Sequence, residues 1–327
     1  MHKSSILVTG GAGYIGSHLV HDLTELGYKV TVLDNLSTGF RENIPAGVEL
    51  IEADLKSPDL KDILRGREFD TLFHFASKKA AGESMEIPEV YMLENITGAL
   101  NLFSLLKDLK IRKVIFSSTA AVYGTPESIP VSEAAPKNPI NYYGFTKLSL
   151  EQNLAWLSQI RGIHVALLRY FNAAGYDVKG RVTKREVGTA NLLPVVLETL
   201  AGIRSKLMVF GDDYNTPDGS CIRDYIHPSD LSSAHILAMD YLEKNRVNLT
   251  LNLGTGKGYS VFEVIKAAAD ISGLPLNYEV TSRREGDPAA LIADASEATR
   301  LLGWTPQHSD IETIISTMLP LYIPKAK

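Results

Sequence analysis

Tyr143 and Lys147 stand four residues apart in Tyr143-Gly144-Phe145-Thr146-Lys147, and on a helix that spacing puts both side chains on one face. A phenol normally ionises near ~10, too high for a base at neutral pH. A neighbouring ammonium favours the phenolate, so the pair predicts a Tyr143 general base tuned downward by Lys147. Such pairs are common on surface helices, and only their surroundings give this one meaning. Just upstream, Phe116-Ser117-Ser118-Thr119 closes an apolar run that reads as a strand. Hydroxyls at the carboxyl end of a parallel strand face the crevice where ligands bind. Thr119 or Ser118 could there hydrogen-bond a substrate hydroxyl as it becomes a carbonyl; the alternative is that they cap the strand end.

An oxidation needs an acceptor, and the first residues predict one. Ser5–Thr9 (SILVT) reads as a buried strand, followed by Gly10-Gly11-Ala12-Gly13-Tyr14-Ile15-Gly16 and then by apolar residues at helical spacing (Ile15, Leu19, Leu23, Leu26). A glycine turn from strand into helix lets bare backbone approach a pyrophosphate at the helix N-terminus. A second strand, Lys29–Leu33, runs into Asp34, 18 residues beyond Gly16, where a carboxylate can receive ribose hydroxyls. An acidic residue there favours NAD over NADP, whose extra phosphate it would repel.

These groups require a scaffold of alternating strands and helices. Further strands are predicted at Val48–Ile51, Thr71–Ala76, Lys113–Ser118 and His164–Phe171, with helices at Ile15–Leu26, Pro88–Leu109 and Tyr143–Gln159. The expected fold is α/β, a Rossmann-type doubly wound parallel sheet with a smaller C-terminal α/β substrate lobe. Residues 1–172 would form the dinucleotide domain, with return segments such as 222–255, and 173–327 a discontinuous second lobe. In that lobe helices are predicted near Asn191–Ala201, Pro228–Leu242, Val261–Ile271 and Ile311–Leu319, with strands near Met208–Phe210 and Leu249–Leu253. Tyr176 to Gly188 reads as a loop without a core of its own, and Lys184-Arg185-Glu186 as its solvated face.

With 327 residues, 45% of them hydrophobic, the chain can bury a sizeable core, and its length favours two lobes. A net charge of −5 argues against nucleic acid or an anionic membrane as partner. The single Cys221 cannot form an internal disulfide, the eight His show no metal spacing, and no apolar run is long enough to span a membrane. A soluble, cytoplasmic, metal-free protein is the expectation. His74, His164 and His227 read as structural groups.

The chain resembles the extended short-chain dehydrogenase/reductase superfamily, most closely its UDP-glucose (UDP-galactose) 4-epimerase branch. The resemblance runs from about Ile6 to Trp304 through GGAGYIGSH, LDNLSTG, HFA…GES, FSSTAAVYG, YGFTK, LLRYFNAAG, IRDYIH, LNLGTG and RREGDPA. It implies a redox epimerisation of a UDP-hexose through a 4-keto sugar, with NAD held throughout. Tyr143 would take the 4-hydroxyl proton, Lys147 would hold the nicotinamide ribose, and Thr119 would bind the reacting oxygen. By the same resemblance Gly10, Gly13, Tyr14, Ile15, Gly16, Asp34, Asn35, Asp54, Leu55, Phe75, Ala76, Lys79, Asn95 and Phe171 would line the cofactor site. Asn172, Asn191, Leu192, Phe210, Arg223, Tyr225, Arg284, Asp287 and Leu291 would form the nucleotide-sugar pocket. Guanidinium forks at Arg223 and Arg284 also suit a diphosphate on their own chemistry, although Arg223 could instead pair with Asp224 or Asp230.

Ala120 and Ala121 depart from relatives that dehydrate or decarboxylate the sugar, which need acids just after the strand hydroxyl. Leu291 occupies the position that gates N-acetylated sugars in the family, and its bulk would favour plain UDP-glucose and UDP-galactose. Alternatives are a 4-epimerase of UDP-glucuronate or UDP-N-acetylhexosamine, a nucleotide-sugar reductase, or a dinucleotide-binding module without turnover. The resemblance also implies a homodimer through the helices Pro88–Leu109 and Tyr143–Gln159, whose apolar faces (Leu100, Phe103, Leu106; Leu150, Leu154, Leu157) would equally be explained by packing on the sheet.

Overall fold

The protein is described by a computed structural model covering residues 4–284 and 286–323. Its centre is a seven-stranded sheet made of β1 (Ser5–Thr9), β2 (Lys29–Asp34), β3 (Glu49–Glu52), β4 (Thr71–His74), β5 (Lys113–Thr119), β6 (His164–Tyr170) and β7 (Leu249–Leu253), in the order β7-β6-β5-β4-β1-β2-β3. β1 pairs in parallel with β2 and β4, β2 with β3, and β4 with β5. The chain winds outward from β1 to β3 and then returns to β4, so the order reverses between β1 and β4. That reversal opens a crevice at the carboxyl ends of the strands, where ligands bind in such sheets.

Helix α1 (Tyr14–Glu25) follows β1 directly, and α2 (Tyr142–Arg161) precedes β6. α2 starts where Asn141 accepts a hydrogen bond from the Gly144 amide at 2.8 Å, and stops at Gly162, whose φ of 67° a side chain would oppose. One helix expected over Pro88–Leu109 is instead Pro88–Tyr91, a π-helical turn Met92–Thr97 and a segment Gly98–Ser104. The wider turn is a local change of hydrogen bonding that apolar spacing does not report. Leu102, Phe103, Leu106, Leu150 and Leu154 belong to a core cluster that includes Leu7, Leu33 and Phe116 from the sheet. Packing on the sheet thus accounts for most of the apolar faces of these helices.

Two compact units divide the chain. The first holds the residues up to Gly124, Lys137–Arg169 and Ser232–Leu251; the second holds Thr125–Pro136, Tyr170–Leu231 and the residues from Asn252 onward. The return segment is therefore shorter than the expected 222–255, and 125–136 leaves the first unit. Ile222–Arg223 stays in the second unit because it pairs with Tyr259–Ser260 and Ala290–Leu291. The return begins in the helix α3 (Pro228–Asn245), where Ser232 donates to Asp22 at 2.6 Å and His235 lies 5.0 Å from the Phe75 ring. Val131 stays in the second unit through its amide, 2.8 Å from the Ile292 carbonyl, and its own carbonyl, which accepts from Asn252.

Candidate active site

The glycine turn is shaped by its own backbone. Gly10 has φ of 72°, and a Cβ there would come within 2.5 Å of the Ala76 amide nitrogen. A Cβ on Gly16 would sit 2.3 Å from the Gly10 carbonyl oxygen. Gly13, by contrast, has only that same oxygen nearby, at 3.2 Å from a built Cβ. Two glycines thus close the turn, and the third leaves an open face beside the first turn of α1. No side chain caps that turn and no acidic residue lies in it, which leaves the positive end of the helix open to an anion. Asp34 ends β2 with one carboxylate oxygen accepting from Ala12 N and the other from Leu36 N, both at 2.9 Å. Burial raises its pKa while those two bonds work against the rise. A donor-lined helix end beside a fixed carboxylate fits a dinucleotide.

Around this turn the predicted residues divide. Phe75 and Ala76 lie just past β4, their amides donating to Thr9 O, and Lys79 places its ammonium 5.0 Å from the Tyr14 ring centroid. Asn35 donates to Asp54 at 3.2 Å. Leu55 is buried and belongs to the core cluster. Asn95, 1% exposed, accepts from Lys78 N and donates to Lys78 O and Thr146 Oγ1. Its amide hydrogens are used within the protein, holding the loop after β4 to α2. Phe171 is buried in the second unit, its amide 3.3 Å from Leu253 O.

Tyr143 and Lys147 share one face of α2 near Thr119 at the end of β5, and their electrostatics differ from the sequence reading. Burial pushes the Tyr143 pKa up to about 12, with the neighbouring Thr119 hydroxyl working against the rise, while Thr119 Oγ1 accepts from the Ala121 amide at 3.1 Å. Lys147 is 2% exposed and donates to Ser117 O at 2.9 Å, with Nζ 6.0 Å from the Tyr143 ring centroid. Burial pulls its pKa down to about 7, with Glu151 opposing. Desolvation of both groups outweighs their mutual attraction in the protein alone, so Lys147 by itself does not make the phenolate. Sequence reasoning also missed Ser84, whose hydroxyl accepts from the Tyr143 amide at 3.0 Å and fixes the start of α2. Its GES context carried that signal only through the resemblance. His74, pulled down to about 3 by burial and bonded to Thr9 at 2.7 Å, is a neutral structural group.

In the second unit, Arg223 lies opposite Leu291 on one side and Tyr259 on the other, while Tyr225 lies opposite Asn172. The Arg223 guanidinium donates to Pro288 O at 2.8 Å and to Asp287 at 3.2 Å. Its partner is therefore Asp287, not Asp224 or Asp230. Asp224 is taken up by Thr255, Gly256 and Ala293, and Asp230 by Gln307, His308 and Ser309. Tyr225 is buried, which raises its pKa. Arg284 stacks 4.3 Å over the Phe210 ring. Asn191 is exposed at the start of the helix Leu192–Leu200, makes no side-chain cap, and donates its backbone amide to Thr189 Oγ1 at 3.3 Å. The loop read as solvated is partly anchored: Arg185 lies 4.4 Å over Tyr322 and 3.5 Å from Glu198, Arg181 pairs with Asp177, and Val182 is buried. Tyr322 and Glu198 lie outside the loop in sequence, which concealed them as anchors of Arg185. Among the described residues no group of His, Cys, Asp and Glu could hold a metal ion, and no helix is long and apolar enough to cross a membrane.

A parallel sheet of this order, a glycine turn before Asp34 and a Thr–Tyr–Lys group define a dinucleotide-dependent short-chain enzyme. Residues 6–254 match the model of the NAD dependent epimerase/dehydratase family, and the chain belongs to that family. It is 44% identical to a UDP-glucose 4-epimerase of Halalkalibacterium halodurans, over 95% of this chain and 93% of that one. The crystal structure of UDP-glucose 4-epimerase from Brucella ovis in complex with NAD is 39% identical, with a TM-score of 0.94 over 98% of both chains. The UDP-Glc/GlcNAc 4-epimerase of Campylobacter jejuni is 40% identical, with a TM-score of 0.87 over 98% of this chain and 99% of that one.

Proposed function

We propose that the protein interconverts UDP-glucose and UDP-galactose by inverting C4 through a 4-keto sugar. The observation that carries this reading is the grouping itself: the half-buried Thr119 and Tyr143 hydroxyls side by side, with the buried Lys147 ammonium one helical turn away, in the unit that carries the glycine turn and Asp34. Bound NAD would supply the acceptor, and then the donor, for the hydride at the sugar's C4. Gly13 and the first turn of α1 would hold its pyrophosphate, Asp34 its adenosine ribose, and Lys147 its nicotinamide ribose. Tyr143 would accept the 4-hydroxyl proton and return it, with Thr119 holding the oxygen as it changes from hydroxyl to carbonyl. Because burial keeps the phenol protonated in the protein alone, the base would form only when a second positive charge arrives beside it. Ala120 and Ala121 cannot transfer protons, which argues against dehydration or decarboxylation.

Arg223 and Arg284 would grip the UDP diphosphate, with Asn172, Asn191, Leu192, Phe210, Tyr225 and Asp287 around the nucleotide. Leu291, half-buried and in register with Arg223, favours a plain hexose over an N-acetylated one. A homodimer is supported by exposed apolar residues on the two expected helical segments, Met92, Leu93 and Leu100 on one and Trp156 and Ile160 on the other. A cytoplasmic place fits the single, buried Cys221. A panel of UDP-glucose, UDP-galactose, UDP-N-acetylglucosamine and UDP-glucuronate, assayed without added cofactor, tests the reading. Fast interconversion of the first two supports it, and turnover confined to either of the others overturns it.

A further inference from the structure

One turn beyond Lys147, the same face of α2 carries a third ionisable group, Glu151, which is 4% exposed. Its carboxylate is engaged on both oxygens. Oε1 accepts from Ser118 Oγ at 2.5 Å and Arg169 Nε at 2.9 Å, and Oε2 accepts from Arg169 Nη2 at 2.6 Å. Arg169, equally buried, donates through Nη1 to the Tyr123 hydroxyl at 2.9 Å and lies 5.1 Å from the centroid of that ring. Four segments thus meet on one ion pair: α2, the end of β5, the 3₁₀ turn Ala120–Tyr123 and β6.

Ser118 sits between the two residues through which β5 reaches the triad. Ser117 offers its carbonyl to Lys147, and Thr119 brings its hydroxyl beside Tyr143, where it opposes the rise in that phenol's pKa. Stability alone gives little reason for such a pair, because apolar residues of similar volume often replace a buried ion pair at no loss; fixing register is its best-attested use.

We propose that Glu151 and Arg169 are positioning residues that lock the end of β5 in register with α2, so that Thr119 meets Tyr143 and Lys147 reaches Ser117. This rests on the roles given above to those three residues. The titratable and charged groups around Lys147 are Tyr143 and Glu151 on its own helix, His74 on β4 and, behind Glu151, Arg169 on β6. His74 is neutral and Tyr143 protonated in the protein alone, so Glu151 is the one of these groups whose field favours the charged ammonium.

The test uses the NAD-loaded protein with three changes. Ser118→Ala cuts only the tie between the ion pair and β5. Glu151→Gln strands the Arg169 charge. Glu151→Gln with Arg169→Met removes both charges and leaves none stranded. The two Glu151 variants are expected to lose at least ~10-fold in kcat, and Ser118→Ala about 3-fold, with KM for UDP-galactose within about 2-fold. The kcat–pH profile of both Glu151 variants is expected to move to lower pH, a change that loss of folding alone would not produce. Wild-type kcat and pH profile in the double variant, or wild-type kcat in Ser118→Ala, would overturn the positioning role. Tyr143→Phe in the same assay separates the two levels. If it keeps turnover, the triad assignment fails; if it is silent while the other variants match wild type, only the positioning proposal fails.

Discussion

At Gly10–Gly16 the chain leaves itself no room, since a Cβ on Gly16 would press within 2.3 Å of a backbone oxygen. At Phe210–Tyr214 and Arg283–Arg284, proposed above to lie on the sugar side, the groups are held differently. Arg283 stacks 4.2 Å over Tyr214 and donates to Asp213 at 2.7 Å, while Arg284 stacks over Phe210, which is 38% exposed. Backbone shape defines the first region, and side chains resting on one another define the second. The first should therefore fail abruptly when altered, and the second by degrees. A cofactor that stays bound suits a rigid cradle; a nucleotide sugar that enters and leaves suits contacts that can rearrange.

Gly16→Ala should produce the largest effect. The added methyl meets backbone that cannot turn aside, so purified protein is expected to carry little NAD and to lose at least ~100-fold in turnover. Cofactor released on denaturation, measured by absorbance, checks it. A variant with full NAD would break the claim that backbone alone shapes this region. Arg284→Ala is expected to raise KM for UDP-galactose by roughly 10-fold, with kcat within about 2-fold, because it removes one charge-assisted contact from an otherwise intact site. An equal fall in kcat would place Arg284 in the chemistry instead.

Lys147→Met sharpens the comparison on the side of energetics. In the cofactor-free protein the folded-state pKa of Lys147 is about 7, below the unfolded value of 10.5. Between those values the unfolded chain binds more protons, so this group's destabilising effect is full below about pH 7 and fades as pH rises toward ~10. Lys147→Met should accordingly stabilise cofactor-free protein by about 1–3 kcal/mol near pH 7, and by less near pH ~10. Urea unfolding at both pH values checks the sign. The smallest effect is expected from Leu291→Ser, a gain of about 3-fold in relative kcat/KM for UDP-N-acetylglucosamine over UDP-glucose. An unchanged ratio would show that another side chain sets the selectivity.

Local chemistry was legible in the sequence where it depends on neighbours along the chain. The glycine turn, Asp34 at the end of β2, and Tyr143 with Lys147 on one helix face all follow from spacing within a few residues or one strand. What escaped depends on distant partners. Arg223 has neighbouring acids at Asp224 and Asp230, yet both are consumed by backbone amides and hydroxyls, and the guanidinium turns to Asp287, 64 residues away. Arg185 looked solvated because Tyr322 and Glu198 are remote in sequence. The Tyr143–Lys147 pair was read as mutual attraction, whereas burial of both groups governs them, and burial is a property of the whole fold.

In the proposed reaction the hydride removed from C4 would return to the same sugar through a retained NAD, while Tyr143 would move the proton. UDP-galactose deuterated at C4, turned over in the presence of free unlabelled NADH, tests this most directly. The account predicts UDP-glucose that keeps its deuterium at C4, with none appearing in the free cofactor. Deuterium lost to water or to the added cofactor pool would contradict it.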